Sequence, residues 1–142
     1  MARRFSDAVP HNRALGIQVV AVGPGHARFL LPYAEKLVGN PDTGVLHGGV
    51  ITTLLDASSG SAVFAALAKL QPIATLDLRI DYLRAAEPGR DVRCHATCYK
   101  VTRNVAFTRA VAYHEDEADP IASAVGTFML GTKSGRWAKA AS

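Results

Sequence analysis

The run His47-Gly48-Gly49-Val50-Ile51-Thr52-Thr53-Leu54-Leu55-Asp56-Ala57-Ser58-Ser59-Gly60-Ser61-Ala62-Val63-Phe64-Ala65-Ala66-Leu67-Ala68-Lys69 holds no proline and one charge, Asp56, between its histidine and its lysine. Its apolar positions occupy every side of a helical wheel instead of one stripe, which predicts a helix covered on most of its surface. At 1.5 Å per residue such a helix is about 30 Å long, enough to cross a small domain, and Pro72 is expected to end it. The same apolar stretch invites a membrane reading. Val50 to Ala68 carries five Ser/Thr residues and a glycine, however, and a mid-span carboxylate costs about 3 kcal/mol on insertion. A core helix of a water-soluble domain is expected, with no membrane partner.

The chain on either side reads as strand. Ile17 to Val22 and His26 to Pro32 are β-branched, apolar segments separated by Gly23-Pro24-Gly25, the signature of a hairpin. Pro10 to Ala14 suggests a short helix or turn ahead of them, and Gly39 to Gly44 a turn-rich loop after them. Downstream lie Ile73 to Leu83, Val92 to Val101, Val105 to His114 and Ile121 to Leu130. The connections between them are short, which favours antiparallel pairing. Along Ile73 to Leu83, Thr75, Asp77, Arg79 and Asp81 alternate with Ala74, Leu76, Leu78, Ile80 and Tyr82. Plain alternation puts the first set on a polar face and the second on the apolar one. Two strands, one long helix and four strands leave a sheet wrapped around that helix as the only cover available. The expected class is α+β, one domain over residues 1–142 with its core at about 14–131 and a short basic tail at 132–142.

The net charge of +4 favours anionic partners in general, but part of the excess sits at the ends, in Arg3, Arg4, Lys133, Arg136 and Lys139. No nucleic-acid recognition motif accompanies it, and no nucleic-acid partner is expected. Met1 to Val9 has no apolar core of export-signal length. Cys94 and Cys98 are four residues apart in a strand, about 13 Å on one face, too far to pair with each other. A reducing cytoplasm is the natural compartment. His95 points away from both cysteines, so these residues do not converge on a metal, and no cofactor is expected.

Two features could carry chemistry. His47-Gly48-Gly49 opens the helix, where unpaired N–H groups and the positive end of the helix dipole make a place for an oxyanion; a tight glycine turn against the sheet would use the same residues. Asp56 is a lone carboxylate midway along an apolar helix, and burial of such a group is costly unless it is paired or functional. A structural capping role near Ser59 and Gly60 is the plainer reading. His47 and Asp56 are nine residues apart, which places them about 180° apart around the axis and roughly 13 Å along it. One chain therefore cannot join them, and a site using both needs two subunits related by a two-fold axis.

The run from His47 to Asp56 resembles the helix signature of hotdog thioesterases of the phenylacetate-degradation type, relatives of 4-hydroxybenzoyl-CoA thioesterase. Thr75-x-Asp77-Leu78, Tyr82-Leu83-Arg84, Pro88-Gly89, Ile121-Ala122-Ser123-Ala124 and Thr127-Phe128-Met129 extend the likeness over roughly residues 14–131. The resemblance implies a hotdog fold and an acyl-CoA thioesterase acting on an aryl or medium-chain acyl group. It further implies self-association as a dimer or dimer of dimers with sites at the interface. By position, Asp56 is the base or nucleophile, the Gly48 amide polarises the carbonyl from the opposite subunit, Asn40 orients substrate, His47 shapes that corner and Thr75 helps hold water. Gly49 and Ser59 would line the substrate site, with Leu55, Phe64 and Phe107 around the acyl group. Arg84 and Arg103 would meet the coenzyme A phosphates. The chain departs from the family pattern in a longer loop between Asn40 and His47, in Ala85-Ala86 where proline is usual, and in Thr102 where glycine is common. A hydratase or dehydratase acting on acyl thioesters, or an acyl-CoA-binding module without turnover, uses the same fold and stays open at this point.

Overall fold

Strands and one long helix alternate in the expected order in the computed structural model, which describes residues 8–132. Helix α1 (Pro10–Leu15) leads into the hairpin of β1 (Gln18–Gly23) and β2 (His26–Leu31). A single 3-10 turn (Glu35–Leu37) and a small ribbon of β3 (Val38–Asn40) and β4 (Val45–Leu46) precede helix α2 (Gly48–Ala66). Then come β5 (Ile73–Tyr82), β6 (Val92–Val101), β7 (Val105–Tyr113) and β8 (Ala122–Leu130). The large sheet has six strands in the order β1-β2-β6-β7-β8-β5, and every pair is antiparallel. Its concave face holds α2, so the architecture is α+β with a sheet around one helix. The basic tail expected at 132–142 falls, except for Thr132, outside the described residues.

The core is built from the inward positions of this sheet, Phe29, Leu31, Val92, Cys94, Ala96 and Ala112 among them, packed on Leu54, Leu55 and Ile51 of α2. Small side chains on β6, β7 and β8 let the helix lie close to the strands. At Gly126 an added Cβ would stand 2.8 Å from Thr108 Oγ1, so only glycine fits there. Burial pushes the Cys94 thiol up to about 12, which makes it a packing group and a poor nucleophile. Helix α2 is long and apolar enough to cross a membrane, yet 56% of its most apolar window is buried inside this fold, as a core helix should be.

Two expectations are corrected. Helix α2 ends at Ala66, well before Pro72, with Leu67 extended at φ −83 and ψ 139. It is covered on most of its surface, as expected, and Thr52, Thr53, Asp56, Ala57 and Phe64 form a half-open stripe, because the sheet curls around the opposite face. The second correction concerns β5. Its pairing with β8 shifts between Thr75↔Phe128 and Asp77↔Thr127, so Leu76 is the extra residue of a β-bulge. The bulge resets the alternation. Thr75 joins Leu78, Ile80 and Tyr82 on the helix side, while Leu76 is turned outward and is 51% exposed.

Candidate active site

The half-open stripe of α2 forms one wall of a cleft of about 540 Å³. Asp56 lies in it, one helical turn beyond Thr52, and β5 supplies the opposing Thr75. The Thr75 hydroxyl donates to Asp56 Oδ1 at 2.9 Å. This contact exists because of the bulge at Leu76; regular alternation would turn Thr75 to the outer face with Asp77. Asp56 is thus partly exposed with one oxygen engaged, instead of a fully buried lone charge. Helix α1, with the Val9 that precedes it, roofs the cleft through Val9, His11 and the buried Asn12, and His11 Nε2 lies 3.3 Å from Thr53 Oγ1. Thr53 already donates its proton to Gly49 O at 3.0 Å, so His11 is the donor in that pair.

The start of α2 is organised differently from a simple glycine turn. His47 is the N-cap: its ring Nδ1 accepts from Gly49 N–H at 2.8 Å, and its carbonyl accepts from Val50 N–H at 3.1 Å. The Gly48 N–H has no acceptor among the described residues. It therefore remains a donor at the positive end of the helix. Of the two glycines, Gly49 is the one geometry demands. A Cβ on Gly49 would stand 2.9 Å from His47 Nδ1, whereas one on Gly48 would meet nothing nearer than Tyr82 Oη at 3.7 Å.

Tyr82, which the sequence reading did not select, ties these pieces together. Its hydroxyl lies 2.7 Å from Thr52 Oγ1 and donates to Gly48 O at 2.9 Å, so the end of β5 is latched to the first turn of α2. The only signal for it in the sequence was a tyrosine at an inward position of a strand, which is common in any core. Gly48, Tyr82 and Arg84 line a second hollow of about 380 Å³. Asp56 does not line that hollow, and Gly48 does not line the Asp56 cleft. The two groups open into different depressions of the same chain.

The other candidates fall into three places. Asn40 ends β3 and organises the following turn: its Oδ1 accepts from Asp42 N–H at 3.0 Å and its carbonyl from Gly44 N–H at 2.8 Å. It lines neither hollow. Ser59 and Leu55 face the sheet and are buried, and Phe107 lies on the outer face against Tyr99, 6.4 Å between ring centroids. Phe64 does line the Asp56 cleft, with Ile73, Leu78 and Phe128. Arg84 is held by the turn before β8, donating to Asp119 O at 3.1 Å. Arg103 is exposed in the β6–β7 turn, beside the opposite end of β5. Ten residues of strand separate those ends, on the order of 30 Å, so the two arginines cannot hold one ligand within a chain. Among the described residues no three His, Cys, Asp or Glu side chains converge as metal ligands.

Comparison with known proteins agrees with this fold. The family model of the thioesterase superfamily matches residues 43–121, which include α2, β5, β6 and β7. The medium/long-chain acyl-CoA thioesterase YigI of Escherichia coli is 34% identical over 142 aligned residues, covering 89% of each chain. A crystal structure of a Pseudomonas aeruginosa protein superposes with a TM-score of 0.82 at 48% identity, over 90% of this chain and 95% of that one. The phenylacetic acid degradation protein PaaI of Thermus thermophilus superposes with a TM-score of 0.75 at 26% identity, over 85% and 98% of the two chains. With its sheet curled around α2 and its His-Gly-Gly helix start, the chain belongs to the thioesterase superfamily and is a hotdog-fold acyl-CoA thioester hydrolase.

Proposed function

We propose that this chain hydrolyses medium- to long-chain acyl-CoA at sites assembled by two copies, each site taking Asp56 from one and the Gly48 amide from the other. The observation that carries this reading is the separation of Asp56 and Gly48 into two hollows of a single chain. β5 is the last strand of the sheet, bonded on one side to β8 only among the described residues. Leu76, Tyr82 and Leu83, all more than half exposed, lie on or beside it. A second copy pairing along this edge by a two-fold axis brings the start of one α2 towards the middle of the other. The same geometry accommodates a dimer of dimers.

In that site Asp56 acts as general base. Thr75 occupies Oδ1, which leaves Oδ2 to take a proton from water as the water oxygen attacks the thioester carbonyl. The partner's Gly48 N–H receives the developing oxyanion, and His47, capping Gly49, holds that turn in place. Collapse of the tetrahedral intermediate breaks the C–S bond, and the proton held by Asp56 passes to the departing thiolate. The apolar lining beyond Asp56 suits a hydrocarbon chain, and the acyl preference in the name of the YigI relative supports the same class. Arg84 of one copy and Arg103 of the other are the cations offered to the coenzyme A phosphates. The two free cysteines support a reducing compartment such as the cytoplasm.

Thiol release from a panel of aryl and straight-chain acyl-CoAs tests the proposal. Wild type is expected to turn over the straight-chain substrates, and Asp56→Asn to lose roughly 10³-fold in kcat while keeping its fold. Full turnover by the folded variant sinks the assignment of Asp56. An inert wild type that still binds acyl-CoA sinks hydrolysis itself.

A further inference from the structure

We infer that Gly60 decides how long an acyl chain this enzyme accepts, an inference that rests on the hydrolase reading above and adds the path of the acyl group. Thr52, Asp56, Gly60 and Phe64 follow one another at four-residue spacing on α2, a rise of about 6 Å per step, and all four line the Asp56 cleft. The cleft changes character along that line. Around Asp56 it is polar, with Thr52, Thr53 and Thr75; beyond it the wall is Gly60, Phe64, Ile73, Leu78 and Phe128. A polar mouth at the carboxylate and an apolar passage behind it match a thioester carbonyl followed by hydrocarbon.

Gly60 is where α2 leaves that passage open. A Cβ there would lie 3.7 Å from Phe128 Cε1 and 3.8 Å from Ile73 Cδ1, ordinary contact distances, so close packing does not require a glycine. Gly126 is the contrast, since its Cβ would stand 2.8 Å from Thr108 Oγ1. Glycine also weakens a helix interior relative to alanine. A residue that packing does not need and the helix does not favour, on the wall of the passage, is explained by the space it leaves. Each further carbon at this position fills volume between Phe128, Ile73 and the cleft, and shortens the chain that fits.

The test measures kcat/KM for straight-chain acyl-CoAs from butanoyl to hexadecanoyl with wild type, Gly60→Ala, Gly60→Val and Phe64→Ala. The expected result is a ratio of dodecanoyl to butanoyl kcat/KM that falls at least about tenfold in Gly60→Val and less in Gly60→Ala. Phe64→Ala, which opens the passage further on, should raise it. A chain-length profile unmoved in the active Gly60 variants overturns this inference and leaves the hydrolase reading standing. If Gly60→Val fails to fold, Gly60→Ala and Phe64→Ala still decide: shifts in opposite directions support the inference, and coincident profiles overturn it. A wild type inert on every thioester overturns the hydrolase reading first, and this inference with it.

Discussion

Gly48 and Gly49 are adjacent and identical in type, yet they serve different ends. Gly49 keeps the space that His47 needs to cap the helix, and Gly48 carries the N–H that no described group accepts. Gly49→Ala would drive its Cβ into the imidazole, expel His47 from the cap and cost about 1 kcal/mol, the usual loss when a cap is removed. Gly48→Ala meets nothing closer than 3.7 Å. Thermal melts of the two variants should therefore differ, with Gly49→Ala lower; equal midpoints would mean that His47 does not cap α2. The proposed chemistry at Asp56 is set at the same scale. In that scheme one hydroxyl on one carboxylate oxygen leaves the other to act as base, and Tyr82 holds the first turn of α2 to the strand that carries that hydroxyl.

At the scale of the element, the bulge in β5 decides which residues reach the site. Because Thr75↔Phe128 and Asp77↔Thr127 are consecutive on β8, removing Leu76 would leave a regular ladder with Thr75 still facing α2. Deletion of Leu76 is thus expected to cost stability through lost local twist but to keep Thr75 on Asp56. Thr75→Val keeps the register and removes the hydroxyl, a loss of about 1.5–3 kcal/mol for a bond to a charged group, or roughly 10- to 100-fold in rate. Turnover by the two variants, measured on a good substrate, should rank the deletion above the substitution. The reverse order would show that the bulge, and not the threonine, is what the site needs. Helix α2 illustrates the same dependence. Its sheet side is sealed by small residues, and its open side becomes the cleft only because the sheet curls one way.

For the whole molecule the question is whether a site needs two chains. Gly48→Pro offers a clean probe, since proline at the first helical position removes only the unpaired N–H, and His47 at φ −59 and ψ 132 already has the extended geometry a following proline requires. Asp56→Asn and Gly48→Pro should each be inactive alone. Unfolded and refolded together in equal amounts, they form mixed dimers in which one site carries both defects and the other carries neither. About one quarter of wild-type turnover should return. No recovery, with mixed dimers shown to form, would mean that each site is built within one chain. A monomer in solution would end the shared-site scheme at once.

The α+β class, the limits of the six main strands and the central helix were legible in the chain because local patterns carry them; Asp56 and the glycine helix start stood out as candidates, and Thr75 came in only with the family resemblance. Periodicity, turn residues and an isolated charge are properties of neighbours in sequence. Other outcomes required the fold. Helix α2 ends at Ala66, just past its last buried residue, Val63, and short of the next proline. A bulge leaves no mark in an alternating pattern, so the faces of β5 read from sequence placed Thr75 outside. Asn40 was chosen by position, and the structure engages it in a turn that lines neither hollow. Ser59 was chosen as a lining residue of the substrate site, but the helix turns it into the core. Tyr82 and His11 reach the site from elements remote in the chain, through contacts that only packing creates. Sequence determined the elements and singled out Asp56 as the candidate; the tertiary structure decided which side chains face it, because facing depends on register and curvature summed over the whole sheet.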